Sequence, residues 1–478
     1  MNTVGFGGPP RNSIEALGSA LPVVTDLGER FAAAGFELAL VGGSVRDVLL
    51  GRLGSDLDFT TDAHPEVTAK LISSWADAVW DVGIRFGTVG GRKAGFQIEI
   101  TTYRAESYDA LSRKPDVQYG LTLAQDLLRR DFTVNAMALT LPTFDFVDLH
   151  GGVSDLAAAV LRTPGRPEDS FDDDPLRMMR AARFVSQLGF SVDPAVVAAM
   201  IAMAPRIEIV SAERVRDELS KLLLGDFPRA GLQLLGDTGL IQYVLPEIPS
   251  LELEIDEHHR HKDVYEHSLT VLEQAIELET SHQPASGPDL VLRLAALLHD
   301  IGKPRTRRFE DDGVVSFHHH ELVGARMTRK RLRALRYSNE ITDQVSLLVE
   351  LHLRFHGYSS GQWTDSAVRR YVRDAGDQLT RLHKLTRADC TTRNRRKAAA
   401  LQASYDSLEH RIAELAEQEE LESIRPDLDG NQIMQALGIG PGPQVGKAYK
   451  FLLERRLDRG PVTREVAEAE LRAWYADR

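Results

Sequence analysis

Cysteine is nearly missing from this chain of 478 residues: Cys390 stands alone. A single thiol closes no intrachain disulfide and supplies no cysteine-rich zinc framework, so a reducing compartment, the cytoplasm, is the expected location. Long hydrophobic runs are absent as well. No stretch approaches the roughly 18 apolar residues that mark a membrane span, and Met1 to Pro10 lacks a basic lead into an apolar segment, so neither an anchor nor a signal peptide is expected. Positive charge is in deficit, with 57 Lys and Arg against 70 Asp and Glu for a net charge of −13. That excludes uniform adhesion to nucleic acid or anionic lipid but leaves local basic patches open. With 43% hydrophobic and 27% charged residues the chain has a globular composition, and its length exceeds one ordinary core, favouring about three domains.

What is present changes character near residue 165. Phe36 to Val41, Leu57 to Thr61, Ala78 to Val82, Gln97 to Tyr103 and Phe144 to Leu149 carry β-branched and aromatic residues bounded by Gly, Asp or Pro, the composition of short strands; Pro65 to Ala76 reads as helix. Beyond Thr163-Pro164-Gly165-Arg166-Pro167 the strand signal ends, and Ala, Leu, Arg and Glu recur at helical spacing, with loops at Gly225 to Pro228, Ser281 to Pro288 and Asp311 to Val315. The expected fold class is α+β: a mixed sheet with helices, then an extended all-α part.

Between Leu40 and Thr61 a strand runs into Gly42-Gly43-Ser44 and a helix carrying Arg46 and Asp47. Glycines at a helix start let backbone N–H groups approach an anion, the arrangement of a phosphate cradle. Asp56 and Asp58 follow at i, i+2 on the next strand, so both carboxylates emerge on one face within reach of a shared cation. Hard oxygen ligands beside a polyphosphate suit Mg²⁺. Glu99, on a similar strand, fits either a further acidic partner or a salt bridge.

Together with Gly87-Thr88-Val89, Phe96 to Arg104 and Asp126 to Ala136, which includes Arg129-Arg130-Asp131-Phe132-Thr133-Val134-Asn135, the stretch from about Leu38 to Leu224 resembles the class II tRNA nucleotidyltransferase and bacterial poly(A) polymerase family of the polymerase-β-like superfamily. The resemblance implies that Asp56 and Asp58 hold catalytic Mg²⁺, that Gly42, Gly43, Ser44 and Arg46 approach the triphosphate, and that Arg130, Asp131 and Asn135 help hold nucleotide and sugar. In the family pattern an acidic pair, Pro, a variable residue and Arg read the incoming base. Here Asp173-Asp174-Pro175-Leu176-Arg177 matches, with Asp174 and Arg177 as readers, Asp173 where Glu is usual, and Arg180 one turn on.

An i, i+3 pair on one helix face would present a carboxylate acceptor beside a guanidinium donor. Cytosine and adenine both set an exocyclic amine beside a ring acceptor and fit that fork; uracil and guanine invert it, at about 1–3 kcal/mol for each unpaired group. CTP and ATP are therefore the expected substrates. Ser211 to Leu219 resembles the family's neck helix, with a packing or positioning role.

Histidines cluster further on: His267, His299-Asp300, His318 to His320, His352, and then Asp389. The order resembles the HD superfamily of metal-dependent phosphohydrolases, which implies a divalent ion (Mn, Ni, Co, Fe or Mg) on His267, His299, Asp300 and Asp389, with His320 and His352 as further candidates. His258, His259 and His261 fit no ligand slot and read as solvated. Two basic runs, Arg326 to Arg336 and Arg393 to Lys397, are candidate phosphate tracks, and Ile433 to Lys447 resembles the family's tRNA-gripping tail.

The expected organisation is a catalytic head over 20–165, a helical neck with base recognition over 166–250, an HD domain over 255–400 and a helical tRNA-binding tail over 401–478. The expected function is template-free addition or repair of the 3′-terminal CCA of tRNA, with HD phosphohydrolysis as a second activity and tRNA, CTP and ATP as partners, and no membrane. A poly(A) polymerase, or an enzyme adding only CC or A, shares these motifs. From another class, a phosphohydrolase of nucleotides or RNA ends would leave Asp56 and Asp58 without a purpose, and a non-catalytic RNA-binding module would leave both acidic sites empty. Oligomeric state is not encoded in any of these features.

Overall fold

The computed structural model describes residues 17–80, 83–84, 87–107, 116–119, 122–251, 264–309, 315–355, 363–392, 394–419 and 425–477. His258, His259, His261, Arg393 and most of the loop from Asp311 to Val315 lie outside them. The chain divides into two units, 1–246 and 247–478.

In the first unit, α1 (Leu21–Ala33), β1 (Leu38–Val41), α2 (Gly43–Leu49), β2 (Asp56–Thr61) and α3 (Pro65–Ser73) lead into β3 (Ala78–Trp80), β4 (Thr88–Lys93) and β5 (Phe96–Thr102). A hairpin of β6 (Arg104–Ser107) and β7 (Asp116–Tyr119) follows, then α4 (Leu123–Leu128), β8 (Met137–Leu141) and β9 (Phe146–Asp148). The main sheet has the order β3-β4-β5-β2-β1-β8-β9. Only β2 and β5 pair in parallel, so the sheet is mixed.

Strand alternation decides where the acids point. Leu57 and Phe59 of β2 and Ile98 and Ile100 of β5 enter one core with Leu38 and Leu40 of β1 and Val24, Leu27 and Phe31 of α1. Because successive side chains alternate, Asp56, Asp58, Gln97 and Glu99 occupy the opposite face. There Ala39 and Val41 pack with Leu127 of α4 and Ala138 of β8.

The helical remainder of this unit includes α5 (Pro167–Asp173), α6 (Leu176–Leu188), α7 (Ala212–Leu223) and α8 (Pro228–Asp237), with α6 packed on α7 and α8. Strand structure does not end at residue 165, however. Val160–Leu161 and Ser191–Val192 form a two-residue parallel pair, and Arg308–Phe309 with Val315–Ser316 an antiparallel one. Two residues are too few to leave an alternating pattern in the sequence.

Among the described residues the second unit is otherwise helical. Its body contains α9 (Val264–Ser281), α10 (Leu290–Leu298), α11 (His320–Ala334), α12 (Asn339–Leu351) and α13 (Leu379–Ala388), followed by α14 (Arg395–Glu419). The tail helices α15 (Gly430–Leu437), α16 (Pro443–Arg459) and α17 (Arg464–Ala476) enclose a small core of Leu428, Ile433, Ala448, Leu452, Ala467 and Leu471. Phe451 and Trp474 stack beside it with ring centroids 4.9 Å apart. No helix among the described residues is long and apolar enough to cross a membrane.

Candidate active site and metal centre

The glycine turn and Asp58 meet. Gly42 has φ 71°, a left-handed conformation that favours glycine, and caps α2. A β-carbon there would lie 3.5 Å from Asp58 Oδ2 and 3.0 Å from Arg130 Nη1, so the turn runs close to both side chains. Ser44 fixes the strand. Its hydroxyl accepts from Asp58 N at 2.9 Å and donates to Asp56 O at 3.2 Å, pinning the backbone on either side of Leu57.

The parallel register sets Asp58 level with Glu99 and Asp56 level with Gln97, which places a third carboxylate beside the pair. Burial pushes the Asp58 pKa up; Arg130 opposes, Asp56 adds, Arg180 and Arg46 oppose, and the net direction is upward. Glu99 is raised by burial, Asp58 and Asp56. Mutually repelling hard-oxygen donors of this kind are satisfied by a divalent cation, and the donor set fits Mg²⁺.

Four of the expected nucleotide residues form one hydrogen-bonded chain. Arg46 grips Asp47 through Nε and Nη2 at 3.0 and 2.9 Å and donates Nη1 to Asn135 Oδ1 at 2.7 Å. Asn135 Nδ2 donates to Asp131 Oδ1 at 3.0 Å, and Arg180 Nε to Asp131 Oδ2 at 2.8 Å. Burial alone would push the Asp131 pKa up, but Arg180, Asn135 and the Phe132 N–H hold the carboxyl well below the usual range. Arg180 is in turn held charged: burial lowers its pKa, and Asp131, Glu218 and Asp174 more than offset that. Arg130 donates Nη2 to Asp126 Oδ2 at 3.0 Å while Nη1 stays beside Gly42.

Asp174 and Arg177 do not form a pair on one helix face, contrary to the sequence expectation. Pro175 forces the residue before it out of the helical region, and Asp174 is extended at φ −148°, ψ 101° between α5 and α6. Its Oδ1 accepts from Leu176 N at 3.1 Å and its Oδ2 from Arg214 Nη2, on α7, at 2.8 Å. Arg177 donates Nη1 to Ser170 Oγ at 2.9 Å and Nη2 to Arg129 O at 2.6 Å. It also lines a cavity of about 400 Å³ with Arg129, Ser170 and Asp173, a volume in the range of small-molecule pockets. Asp173 pairs with Arg129 at 3.2 Å.

In the second unit all six expected ligands converge in two adjoining groups, His267, His299 and Asp389, and Asp300, His320 and His352. His267 Nε2 lies 2.9 Å from Asp389 Oδ1 and 3.5 Å from Asp300 Oδ2; His299 Nε2 lies 3.2 Å from Asp300 Oδ2, and His320 Nε2 3.2 Å from Asp300 Oδ1. Three of the imidazoles share one local device. Nδ1 of His299, His320 and His352 meets the carbonyl three residues earlier, of Ala296, Phe317 and Val349, at 2.8, 2.9 and 2.7 Å. His267 Nδ1 meets Thr391 Oγ1 at 3.3 Å. Anchoring Nδ1 turns each Nε2 inward, the orientation that metal-binding histidines require.

The buried Nε2 of His352 has no hydrogen-bond partner, and a shared cation would supply one. Burial drives His352 down to about 3, with His299 adding, which keeps it a neutral ligand. Asp300 is raised by burial but held well below its ordinary value by His299, Lys303 and His320. Gly302 lets the turn after Asp300 press onto α11: a β-carbon there would stand 2.1 Å from His320 O.

Sequence reasoning assigned no role to Lys303, whose Nζ is 2.8 Å from Asp300 Oδ2; the i+3 spacing from Asp300 was the available signal. Nor did it assign Thr391 or the buried Arg183–Glu218 pair at 3.2 Å. The pair's partners sit on two separate helices, a relation that spacing does not reveal.

Known proteins align with both units. The Poly A polymerase head domain matches residues 38–162, the probable RNA and SrmB-binding site of polymerase A matches 189–251, and the HD domain matches 264–394. An A-adding tRNA nucleotidyltransferase of Deinococcus radiodurans is 34% identical over 454 residues, covering 91% of this chain and 95% of its own. A CCA-adding enzyme of Streptococcus gordonii is 30% identical over 443 residues, covering 91% of each. The solved Bacillus stearothermophilus CCA-adding enzyme in complex with CTP shares the fold at TM-score 0.67 and 24% identity, over 98% of this chain and 99% of that one. Head and HD domains of these kinds work with divalent metal ions. Likeness of 34% over nearly the whole length of both chains means that the chain belongs to the tRNA nucleotidyltransferase and poly(A) polymerase family and carries an HD domain.

Proposed function

We propose that this enzyme builds or repairs the 3′-terminal CCA of tRNA from CTP and ATP without a template, in the cytoplasm. One observation carries the reading: the carboxylate of Asp58 lies against the Gly42 turn, with Arg130 beside it and Ser44 pinning the strand. A triphosphate seated on the N–H groups of that turn brings its α-phosphorus to the acids. The primer's 3′-hydroxyl oxygen attacks it and releases its proton to solvent, the new oxygen–phosphorus bond forms as the bond to the β-phosphate breaks, and pyrophosphate leaves with the displaced electron pair. Mg²⁺ held by Asp56 and Asp58 would neutralise charge on the attacking and leaving oxygens.

The chain's own residues do the positioning. Arg130 and Arg46 offset negative charge at the phosphates, and Asp131 and Asn135, locked by Arg46 and Arg180, present fixed groups to the sugar. Asp174 and Arg177 read the base after exchanging part of their present contacts for it. Head, neck, HD domain and tail occupy 20–165, 166–250, 255–400 and 401–478 in this reading. In the HD domain, His267, His299, Asp300 and Asp389, with His320 and His352, bind a divalent ion such as Mn²⁺, Ni²⁺, Co²⁺, Fe²⁺ or Mg²⁺ for phosphoester hydrolysis at RNA ends.

The test uses tRNA lacking its last three nucleotides, with Mg²⁺ and each nucleoside triphosphate singly and together. CTP alone should add two residues and CTP with ATP three, while UTP and GTP add none; absence of any extension would overturn the proposal. The name of the Deinococcus relative favours one alternative, addition of A alone. In that case CTP gives no product, and only tRNA already ending in CC is extended.

A further inference from the structure

The net charge of −13 makes any concentrated positive surface on this chain an exception to its composition. One such surface lies on α11, the helix that begins at the metal-centre residue His320. Arg326, Lys330 and Arg333 are exposed and stand at i, i+4 and i+7, so they project within about 60° of one another and span roughly 10 Å along the helix axis. Arg329 flanks them, paired with Asp343 at 3.0 Å, whereas Arg331 points elsewhere and is held by Glu247 at 2.9 Å. Among the described residues Arg326, Lys330 and Arg333 make no ion pair. Three long, costly side chains are therefore displayed with their charge uncompensated.

The chemistry of a partner follows from what this stripe contains and what it does not. Its one exposed large apolar side chain is Leu322, so it offers neither a groove for a hydrophobic anchor nor the apolar face an interfacial helix needs. A row of separated cations on a rigid helix matches a row of separated phosphates. Arg and Lys with a single apolar neighbour are the composition of a backbone contact, which positions a nucleic acid without reading its sequence.

We propose that this face of α11 binds the phosphate backbone of the tRNA substrate, so that the HD domain is an RNA-holding part of the enzyme as well as a metal-binding one. The partner named here rests on the tRNA reading above.

The test is a salt series on the full-length chain with labelled tRNA, comparing wild type with the triple variant Arg326→Ala, Lys330→Ala, Arg333→Ala. Each phosphate contact contributes about 0.7–0.9 to the slope of log affinity against log salt, so losing three should flatten it by about 2–3. The KM for tRNA should rise while kcat at saturating tRNA stays as in wild type. Arg326→Lys with Arg333→Lys should keep the wild-type slope, separating charge from any change in folding. An unchanged slope in the triple variant overturns the proposal, including the case where the face binds polyglutamate and so serves an acidic protein. If wild type extends tRNA and the slope is unchanged, the surface fails and the activity stands; if the slope flattens but wild type extends nothing, the activity fails and the surface stands.

Discussion

The two sites of this chain are assembled in opposite ways. In the head, the glycine turn and both aspartates come from residues 42–58, and a parallel neighbour strand adds Glu99. In the HD domain the candidate ligands run from His267 to Asp389, on or just past helices far apart in sequence. Yet the dispersed site is the more finely oriented. Four of its six residues are buried and three imidazoles are set by the carbonyl three residues back, whereas Asp56 stands exposed at the edge of its strand. An open, carboxylate-only site can exchange ions along with nucleotide and pyrophosphate. A mostly buried set of imidazoles and carboxylates would hold an ion more tightly.

The strongest way to break that contrast is to remove one acid from each site and ask whether the other notices. Asp58→Ala should reduce nucleotide incorporation by at least about 10³-fold, since transition-state charge stabilisation by metal is worth several kcal/mol. Metal bound in the HD domain, measured by elemental analysis, should not change. His352→Ala should do the reverse, lowering bound transition metal while CCA addition to an intact primer proceeds at the wild-type rate. Loss of incorporation in the His352 variant would show that the two sites are not independent.

How far the sequence foretold these sites follows the same division. The acids of β2 were legible because strand alternation and the register with β5 leave them no other face, once Leu57, Phe59, Ile98 and Ile100 are claimed by the core. The histidines were legible as an ordered set, but not the carbonyl anchors, which depend on where each helix begins or ends. Asp174 and Arg177 share no helix face despite their i, i+3 spacing, because Pro175 disfavours a helical conformation in the residue before it. Arg214, which holds Asp174, is 40 positions away on another helix, and no local pattern connects them.

A smaller effect tests the network between sugar and base. Asp131 is 6% exposed and its partner Arg180 34%, so Asp131→Asn should cost about 2–3 kcal/mol, reduced from the fully buried case because Arg180 is partly solvated. The folded carboxyl lies below its unfolded value of about 4, so the pair stabilises the head fully above that pH and loses its contribution as pH falls below it. Denaturant midpoints of wild type and variant should therefore differ most at neutral pH and converge toward pH 2. A constant gap across that range would mean that shape, not charge, is what Asn fails to supply.

The smallest effect separates two roles for Ser44. The resemblance to known nucleotidyltransferases puts this residue at the triphosphate, but its only hydroxyl hydrogen is committed to Asp56 O, and its lone pair receives Asp58 N. A group bonded in this way holds the strand that carries the acids. Ser44→Ala leaves the buried Asp58 N–H without an acceptor, a cost of about 1–2 kcal/mol, felt as looser placement of both carboxylates. In steady-state assays kcat should fall about three- to tenfold while KM for CTP stays near wild type. If KM rises instead and kcat holds, the hydroxyl leaves the strand for the nucleotide, and the order of the head site is set by its substrate, as it is not in the HD domain.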